Sequence, residues 1–257
     1  MTRPRAKSLW RFLLLALVSF AALQLYFVLR IALMTVVDPQ STTFQRSEAW
    51  RLALAPRDLA WQQRWVDYGG ISMHLKRAVI AAEDASFTEH SGVEWDALEK
   101  AWERNQRAEA AAERAADRGP RPLPAAEGKP SRPPPKVVGG STITQQLAKN
   151  MFLGGERSFL RKGQELALAY VMEAVLGKRR ILEIYLNSVE WGEGVFGAEA
   201  ASRRYFRAGA GALSAQQAAQ LAVMLPAPKR FEKRPGSPYV LGRAATVAAR
   251  AGAVEVP

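Results

Sequence analysis

The sequence contains no cysteine, and this absence excludes disulfide bonds, thiolate catalysis and cysteine-ligated metal sites. Histidine is almost as scarce: His74 and His90 are too few for a histidine-rich metal site. The chain also has no internal repeat, no Gly-x-x-x-x-Gly-Lys phosphate loop and no zinc-ligand spacing. The classes of protein that depend on these features are therefore excluded.

Length and charge set the next bounds. With 257 residues, 48% of them hydrophobic, the chain can bury one sizeable core but has no room for a second large domain. The formal net charge of +12 favours contact with a polyanion, which can be nucleic acid, an anionic lipid headgroup or a diphosphate. Charge alone does not choose among the three.

An apolar run near the N-terminus predicts a membrane anchor. Phe12 to Leu29 is about eighteen residues long, enough to cross roughly 27 Å of hydrocarbon as a helix. A cleaved signal peptide is the alternative, but the run is long for a signal core and no clear cleavage site follows it. Basic residues precede the run, and only Arg30 follows closely, so we expect a cytoplasmic N-terminus and an extracytoplasmic domain.

The segment after the anchor carries Trp50, Trp61 and Trp65 among arginines and short apolar residues. These indoles can be interfacial aromatics at headgroup depth. Ordinary core packing explains them equally well. Both interpretations stay open at this stage.

The first candidate motif is an apolar run closed by an acidic pair. Its apolar residues recur at intervals of three and four: Ile71, Leu75, Ala78, Val79 and Ala82. This spacing predicts a helix with one buried face, ended by Ser91-Gly92. Glu83 lies beside that face, and partial burial would raise its pKa and suit it to accept a proton. From these residues alone, a solvated acid at a helix end is the alternative.

A second motif opens another predicted helix. Thr142 and Gln145 have the spacing of a capping box, and Ser141 or Thr142 can be the cap. Capping does not require the two preceding glycines, nor Gln146 and Lys149 after it. A helix start reached through two glycines is also suited to holding an anionic oxygen.

A long helix is predicted from Arg157 to Leu176, with Gly177 as its stop. Its residues available for burial are Phe159, Leu160, Ala167, Tyr170, Val171, Ala174 and Val175. Arg157, Arg161, Lys162 and Glu165 project from neighbouring rows of this helix. Such pairs are worth a few tenths of a kcal/mol each, so taken alone the pattern indicates a solvated face.

Together these motifs resemble those of the peptidoglycan glycosyltransferase family. The quoted residues are Glu83-Asp84-x-x-Phe87-x-x-His90-x-Gly92, Gly139-Gly140-Ser141-Thr142-Ile143-Thr144-Gln145-Gln146-Leu147-x-Lys149-Asn150 and Arg161-Lys162-x-x-Glu165. Segments resembling a fourth and a fifth motif follow at 178–187 and 197–206, so the resemblance extends from about Trp65 to Phe231. Without Ser-x-x-Lys or Lys-Thr-Gly, no penicillin-binding transpeptidase half is expected, which indicates the monofunctional, membrane-anchored branch.

The resemblance implies an all-α, lysozyme-like catalytic domain that polymerises lipid II into β-1,4 glycan strands and releases polyprenyl diphosphate. It makes Glu83 the general base and Glu165 a second acid that orients cations, holds a divalent ion or polarises the donor. The implied substrate contacts are Ser141, Thr142, Gln145, Gln146, Lys149, Arg157, Arg161 and Lys162. The implied motif residues with structural roles are Asp84, Phe87, His90, Gly92, Asn150, Tyr185 and Asn187.

The resemblance also bears on cofactors, partners and location. It hints at a divalent cation, Mg²⁺ or Mn²⁺, near the diphosphate, although no ligand set is visible in the sequence. Lipid II, the growing glycan strand and membrane lipids are the expected partners, together with other cell-wall synthesis or division proteins, and nucleic acid is not expected. We expect a single-pass protein of the bacterial cytoplasmic (inner) membrane.

The predicted domain organisation has five parts. They are a basic N-terminus at 1–11, an anchor at 12–37, a connector at 38–64, a glycosyltransferase domain at 65–233 and a tail at 234–257, in which 240–251 can form a last helix. A Pro/Arg-rich stretch at about 105–136 departs from the family pattern and predicts a disordered insertion, or alternatively a flap beside the substrate.

Two rival functions complete the predictions. A lytic glycan-cleaving enzyme also uses a glutamate on a helical domain but needs no diphosphate site. A non-enzymatic, basic scaffold tethered to the membrane needs neither the glutamate nor a diphosphate site.

Overall fold

The structure is a computed structural model that describes residues 3–54, 61–95, 99, 103, 106, 107, 141–156 and 158–257. It divides into two units, one made of Met1–Val93 with Thr142–Pro257 and the other of Glu94–Ser141. The predicted insertion at about 105–136 falls in the second unit and, apart from positions 106 and 107, outside the described residues. Arg157 also lies outside them.

The first unit is built mainly of helices, which confirms the predicted class. Its helices are α1 (Arg3–Leu33), α2 (Thr43–Ala53), α3 (Met73–Glu83), α4 (Ile143–Phe152), α5 (Phe159–Ser188), α6 (Ala198–Phe206), α7 (Ala215–Met224), α8 (Pro228–Phe231) and α9 (Pro238–Ala251), with 3-10 turns at Tyr68–Gly70 and Ala210–Ala212. A small sheet has the order β1-β3-β2. In it, β1 (Gln62–Gln63) pairs parallel with β3 (Val195–Phe196), and β2 (Glu190–Gly192) pairs antiparallel with β3.

Helix α1 contains the apolar run. Its stretch Ser8–Leu33 is long and apolar enough to cross a membrane once. The end of this region is not a free stalk, because Phe27, Ile31 and Met34 are buried in the core of the unit. The Phe27 ring meets Phe152 of α4 edge-on, with centroids 5.4 Å apart. The anchor is therefore packed against the domain that it carries.

Helix α3 ends earlier than predicted. It stops at Glu83, and the chain turns through 84–92 rather than continuing as a helix to Ser91-Gly92. The helix ends there because the backbone of Asp84 leaves the helical conformation (φ −163°, ψ 74°), and the Asp84 carboxylate hydrogen-bonds to His90 and to the backbone N–H of Ile143. Leu75, Ala78 and Val79 are buried as expected, whereas Ala82 is exposed.

Helix α5 is interrupted at Gly177, whose φ of 69° is not helical, so the predicted stop is confirmed. The predicted buried face is wrong except at Val171, which is partly buried against the core. Phe159 and Leu160 are 95% and 88% exposed, and the larger side chains Tyr170 and Val175 are also exposed. The residues that α5 buries instead before Gly177 are Glu165, Leu168, Ala169 and Met172. Because α5 packs on α4 with the row that contains Glu165, the apolar row on another side of the helix stays outside.

The C-terminal helices complete the core. Helix α7 begins with a capping box of Ser214 and Gln217. The last helix, predicted near 240–251, is α9, which packs on α7 and α3 through Val240, Ala244 and Val247. These contacts hold α3 in place, and with it Glu83 at the C-terminal end of the helix.

Candidate active site

Glu83 is the last residue of α3 and is held by a chain of two hydrogen bonds. The Gln146 Nε2 amide donates to Glu83 Oε2 at 2.8 Å. The Tyr185 hydroxyl donates to Gln146 Oε1 at 3.0 Å, which fixes the direction in which the amide points. Tyr185 is fully buried, and burial raises its pKa well above the usual value, so its hydroxyl stays a donor. Tyr185 therefore orients the Glu83 carboxylate indirectly, through Gln146.

The environment of Glu83 favours acceptance of a proton. Burial raises the pKa of its carboxyl, the hydrogen bond from Gln146 lowers it in part, and the nearby Asp84 charge raises it. A carboxylate that loses part of its hydration binds a proton more readily than one in water. The sequence pattern had predicted this direction of change.

Asp84 joins the first motif to the second. Its Oδ1 is 2.8 Å from His90 Nε2, and its Oδ2 accepts the backbone N–H of Ile143, the first residue of α4, at 3.0 Å. The other ring nitrogen, His90 Nδ1, accepts the N–H of Gly92 at 3.2 Å. These hydrogen bonds of His90 hold the loop that follows Glu83.

Two further motif residues pack beneath this loop. Phe87 is fully buried, with the Lys178 ammonium 4.4 Å from its ring centroid. Gly92 adopts φ +87°, and a Cβ there would lie 3.0 Å from Glu173 Cγ. Both positions are consistent with the structural roles implied by the resemblance.

The start of α4 is capped by Thr142, which accepts the N–H of Gln145 at 3.2 Å and donates to the Gly92 carbonyl at 2.6 Å. The capping box is incomplete, because the Gln145 side chain points elsewhere. Its Nε2 lies 3.4 Å from the Gly92 carbonyl, and its Oε1 accepts the Lys162 ammonium at 3.0 Å. Since Thr142 and Gln145 are 3% and 1% exposed, both act in the structure as supports.

A cluster of cations surrounds Glu165 on α5. The Glu165 Oε2 accepts Arg161 Nη1 at 2.7 Å, and Oε1 accepts Lys162 Nζ at 2.5 Å. Glu165 is 3% exposed, whereas both cations are partly accessible. The buried acid therefore orients two cationic head groups at the edge of the protein.

Lys149 of α4 belongs to the same cluster. Its pKa is lowered, first because neighbouring atoms displace water from its ammonium. The Glu165 charge raises the pKa in part, while the Arg161 and Lys162 charges lower it further. A cation in repulsive surroundings gains from a bound anion. We call the group formed by Lys149, Arg161, Lys162 and Glu165 the cation cluster. Its charges favour the binding of an anionic group.

Helix α4 connects Glu83 to the cation cluster. The adjacent residues Gln145 and Gln146 contact Lys162 and Glu83 respectively. Successive side chains on a helix differ by about 100° in direction, so one turn of α4 faces the two groups at once. The structure therefore brings the predicted base and the predicted phosphate-binding side chains to one helix.

The remaining predicted residues are placed as follows. The fully engaged amide of Asn187 accepts the Val66 N–H at 2.8 Å and donates to the Val66 and Glu183 carbonyls, both at 2.9 Å. Asn150 lies near the end of α4 and is half-buried. Ser141 belongs to the second unit.

The contact of Tyr185 with Gln146 could not be found from the sequence, where the resemblance implied only a structural role for Tyr185. It lies 39 residues from Gln146, and no local pattern relates the two. The hydrogen bond that connects them exists only because α5 packs on α4.

These features define a class of protein: a helical domain on an apolar anchor helix that sets one desolvated carboxylate beside a cluster of cations. The family model described as Transglycosylase matches residues 54–115 and 131–251, which leaves out 116–130. The chain belongs to the transglycosylase family.

Relatives over nearly the whole chain carry one name, biosynthetic peptidoglycan transglycosylase. The relative from Paraburkholderia xenovorans is 48% identical over 250 residues, 96% of this chain and 94% of its own length. The relative from Burkholderia thailandensis is 50% identical over 239 residues, 93% of this chain and 84% of its own length. The relative from Bordetella pertussis is 46% identical over 263 residues and covers both chains fully.

Proposed function

We propose that this chain is a peptidoglycan glycosyltransferase that polymerises lipid II into β-1,4-linked glycan strands and releases polyprenyl diphosphate. Its membership of the transglycosylase family and the names of its relatives support this function. The observation that carries the mechanism is the double contact of α4, with Gln146 on Glu83 and Gln145 on Lys162.

Glu83 acts as the general base. The 4-hydroxyl of one sugar attacks the anomeric carbon of another, and a hydroxyl is too weak an acid to ionise freely. As the new O–C bond forms, the hydroxyl proton passes to Glu83 and the bond to the diphosphate oxygen breaks. The Gln146 amide keeps the Glu83 carboxylate oriented. The raised pKa of Glu83 makes that carboxylate a competent proton acceptor. Attack opposite the leaving group inverts the α-linked diphosphate to a β linkage.

The cation cluster receives the leaving diphosphate. Arg161 presents a planar fork that can bind two phosphate oxygens, and Lys162 and Lys149 add point charges. Arg157, outside the described residues, is assigned to the same cluster on sequence grounds. Developing negative charge is stabilised most by cations already fixed in place. We assign that fixing to Glu165, because it holds Arg161 and Lys162 in position before substrate arrives.

The polar residues at the start of α4 divide between two roles. Gln146 is half-buried and reaches Glu83, so it is assigned to substrate contact as well as to the base. Thr142 and Gln145 are buried and position their neighbours. Ser141 is retained as a substrate contact on the strength of the motif alone.

A divalent ion held by Glu165 does not fit the described residues of the cluster. Both carboxylate oxygens of Glu165 already accept hydrogen bonds from cationic side chains. A Mg²⁺ or Mn²⁺ ion prefers several oxygen ligands without adjacent positive charge. No step of the mechanism is therefore assigned to a metal held there.

We assign this site to the membrane surface. The Gln24 side chain of α1 exchanges hydrogen bonds with Gln164 of α5 at 2.9 and 3.3 Å. Gln24 lies about 14 Å along the helix axis from Leu33, within the apolar stretch. The start of α5 is thus held beside the membrane helix, and exposed Phe159 and Leu160 are suited to contact lipid. A diphosphate at headgroup level then meets the cation cluster at high local concentration.

We assign the protein to the bacterial cytoplasmic membrane, with a cytoplasmic N-terminus and an extracytoplasmic catalytic domain. The distribution of Arg and Lys around the anchor supports this orientation. Membrane lipids and other cell-wall synthesis or division proteins are proposed as partners. The positive charge is assigned to headgroups and the diphosphate rather than to nucleic acid.

Incubation of the purified full chain with lipid II tests the proposal. Formation of polymer supports it, whereas shortening of preformed glycan without polymer formation would establish the lytic alternative. A scaffold would give neither product. The cation cluster favours polymerisation over lysis, because cleavage of a glycan releases no diphosphate.

A further inference from the structure

A cavity of about 440 Å³ lies outside the active site, close to the end of the membrane helix. Its lining residues are Asp38, Pro39, Gln40, Trp61, Gln63 and Trp65. None of them belongs to the base, its hydrogen-bond chain or the cation cluster. Its volume lies in the range of small-ligand sites, which is about 300–1,000 Å³.

The walls of this cavity are fixed by contacts behind them. Trp61 packs on Phe196 of β3 with ring centroids 4.6 Å apart. Trp65 packs against the Arg180 guanidinium, 5.5 Å from its ring centroid. The Gln63 amide donates to the Gln40 carbonyl at 3.3 Å. Two indoles and two carboxamide side chains therefore border a preformed space.

The charges of the described residues around the cavity disfavour an ionic ligand. Asp38 is paired with Arg180 at 2.7 Å, and Arg180 also donates to Glu183 and to the Met34 carbonyl. Among the described residues, the lining contains no Lys or Arg that could meet a phosphate. A cationic ligand would have to displace Arg180, which already neutralises Asp38 and contacts the Trp65 ring.

A neutral ligand with apolar faces and hydrogen-bonding edges fits what remains. Sugar rings stack their C–H faces on indoles, and their hydroxyl and acetamido groups bond to carboxamides.

We propose that this cavity is a second saccharide site, which holds N-acetylated sugar units of a glycan strand away from Glu83. The identification of that saccharide as the enzyme's own product rests on the proposed function. Such a site keeps a strand close to the membrane surface after it leaves the reacting centre.

The experiment measures binding of a soluble β-1,4-linked N-acetylglucosamine oligosaccharide to the full chain in detergent, by tryptophan fluorescence. Glu83→Gln serves as the parent, so that no polymerisation interferes. Adding Trp61→Ala or, as a milder change, Gln40→Ala is expected to weaken binding at least about tenfold. Trp50→Ala is the matched control, because Trp50 is 70% exposed on α2 and does not line the cavity. It should bind as the parent does.

Three results would overturn the inference: no binding by the parent, binding unchanged in both cavity variants, or displacement of the oligosaccharide by phosphocholine. The last would identify a headgroup site. The wild-type lipid II assay is scored separately. A wild type that polymerises while the parent fails to bind sinks only the second site, whereas bound oligosaccharide without any polymer sinks only the proposed activity.

Discussion

Loss of the hydrogen bond from Gln146 to Glu83 should change the pH profile of kcat/KM. A purely structural role for Gln146 would leave that profile unchanged. In Gln146→Met the side chain keeps its length, but the donor to Glu83 Oε2 is lost. Because that bond lowers the pKa of Glu83, its removal raises the pKa further. The base must be ionised to work, so the acidic limb of the pH profile of kcat/KM is expected to move to higher pH.

The size of the effect follows from the bond that is removed. A hydrogen bond to a charged group contributes about 1.5–3 kcal/mol, which corresponds to a fall of about tenfold to a hundredfold in rate on the acidic limb. On the alkaline plateau, where Glu83 is ionised in both proteins, the loss should be smaller. The assay is lipid II polymerisation by wild type and variant across the pH range. An equal loss at every pH would refute the reasoning.

Stability provides the control for this variant. Gln146→Met leaves the buried Tyr185 hydroxyl without its acceptor, which costs about 1–3 kcal/mol. Adding Tyr185→Phe removes that stranded group, so the double variant should regain most of the lost thermal stability but not the original pH profile. Gln217→Met, which changes a glutamine in the capping box of α7, should leave the pH profile unmoved.

Three further predictions concern other parts of the molecule. Lys162→Met should reduce kcat/KM for lipid II by about 10²–10³, because one cation that meets the diphosphate is lost; an unchanged rate would remove Lys162 from the site. The pKa of Glu190 is raised to about 7, mainly by burial, so the folded protein binds a proton before the unfolded chain does and stability should rise as pH falls from about 7 towards 4.5. Glu190→Gln should therefore raise the melting temperature at pH 8 more than at pH 5, and the reverse order would contradict the assignment. Gly197→Ala should cost about 2–3 kcal/mol, because φ is +84° and the new Cβ would lie 2.7 Å from the Asn187 carbonyl oxygen. Gly242→Ala in α9 meets no atom within 4 Å and should gain about 0.5–1 kcal/mol; thermal unfolding of both variants checks the pair, and equal signs would be inconsistent with the backbone argument.

Local patterns predicted the helices well wherever one residue or spacing decides the outcome. Gly177 interrupts α5 because its φ is positive. The apolar spacing of Leu75, Ala78 and Val79 likewise identified the buried face of α3. Each of these signals acts within a few residues along the chain.

The errors arose where distant segments decide the structure. The end of α3 was placed too late, because Asp84 leaves the helix to bond with Ile143, 59 residues away. The exposed row of α5, with Phe159 and Leu160, was predicted to be buried because apolar spacing marks a row without saying what covers it. Here the covered row contains Glu165, whose cost of burial is offset by Arg161 and Lys162.

The candidate site shows the same division. Motif residues supplied Glu83, Lys149, Lys162 and Glu165, but the resemblance did not say how they are oriented. That orientation comes from side chains that sequence reasoning placed in other roles, above all Tyr185 behind Gln146.

The most direct measurement of the central claim is polymerisation of lipid II by Glu83→Gln. Glutamine keeps the shape of the side chain but cannot accept the hydroxyl proton. The account predicts a loss of at least about 10³-fold in polymer formation, with lipid II still bound and the melting temperature preserved. Polymer formed at the wild-type rate by a folded Glu83→Gln protein would contradict it.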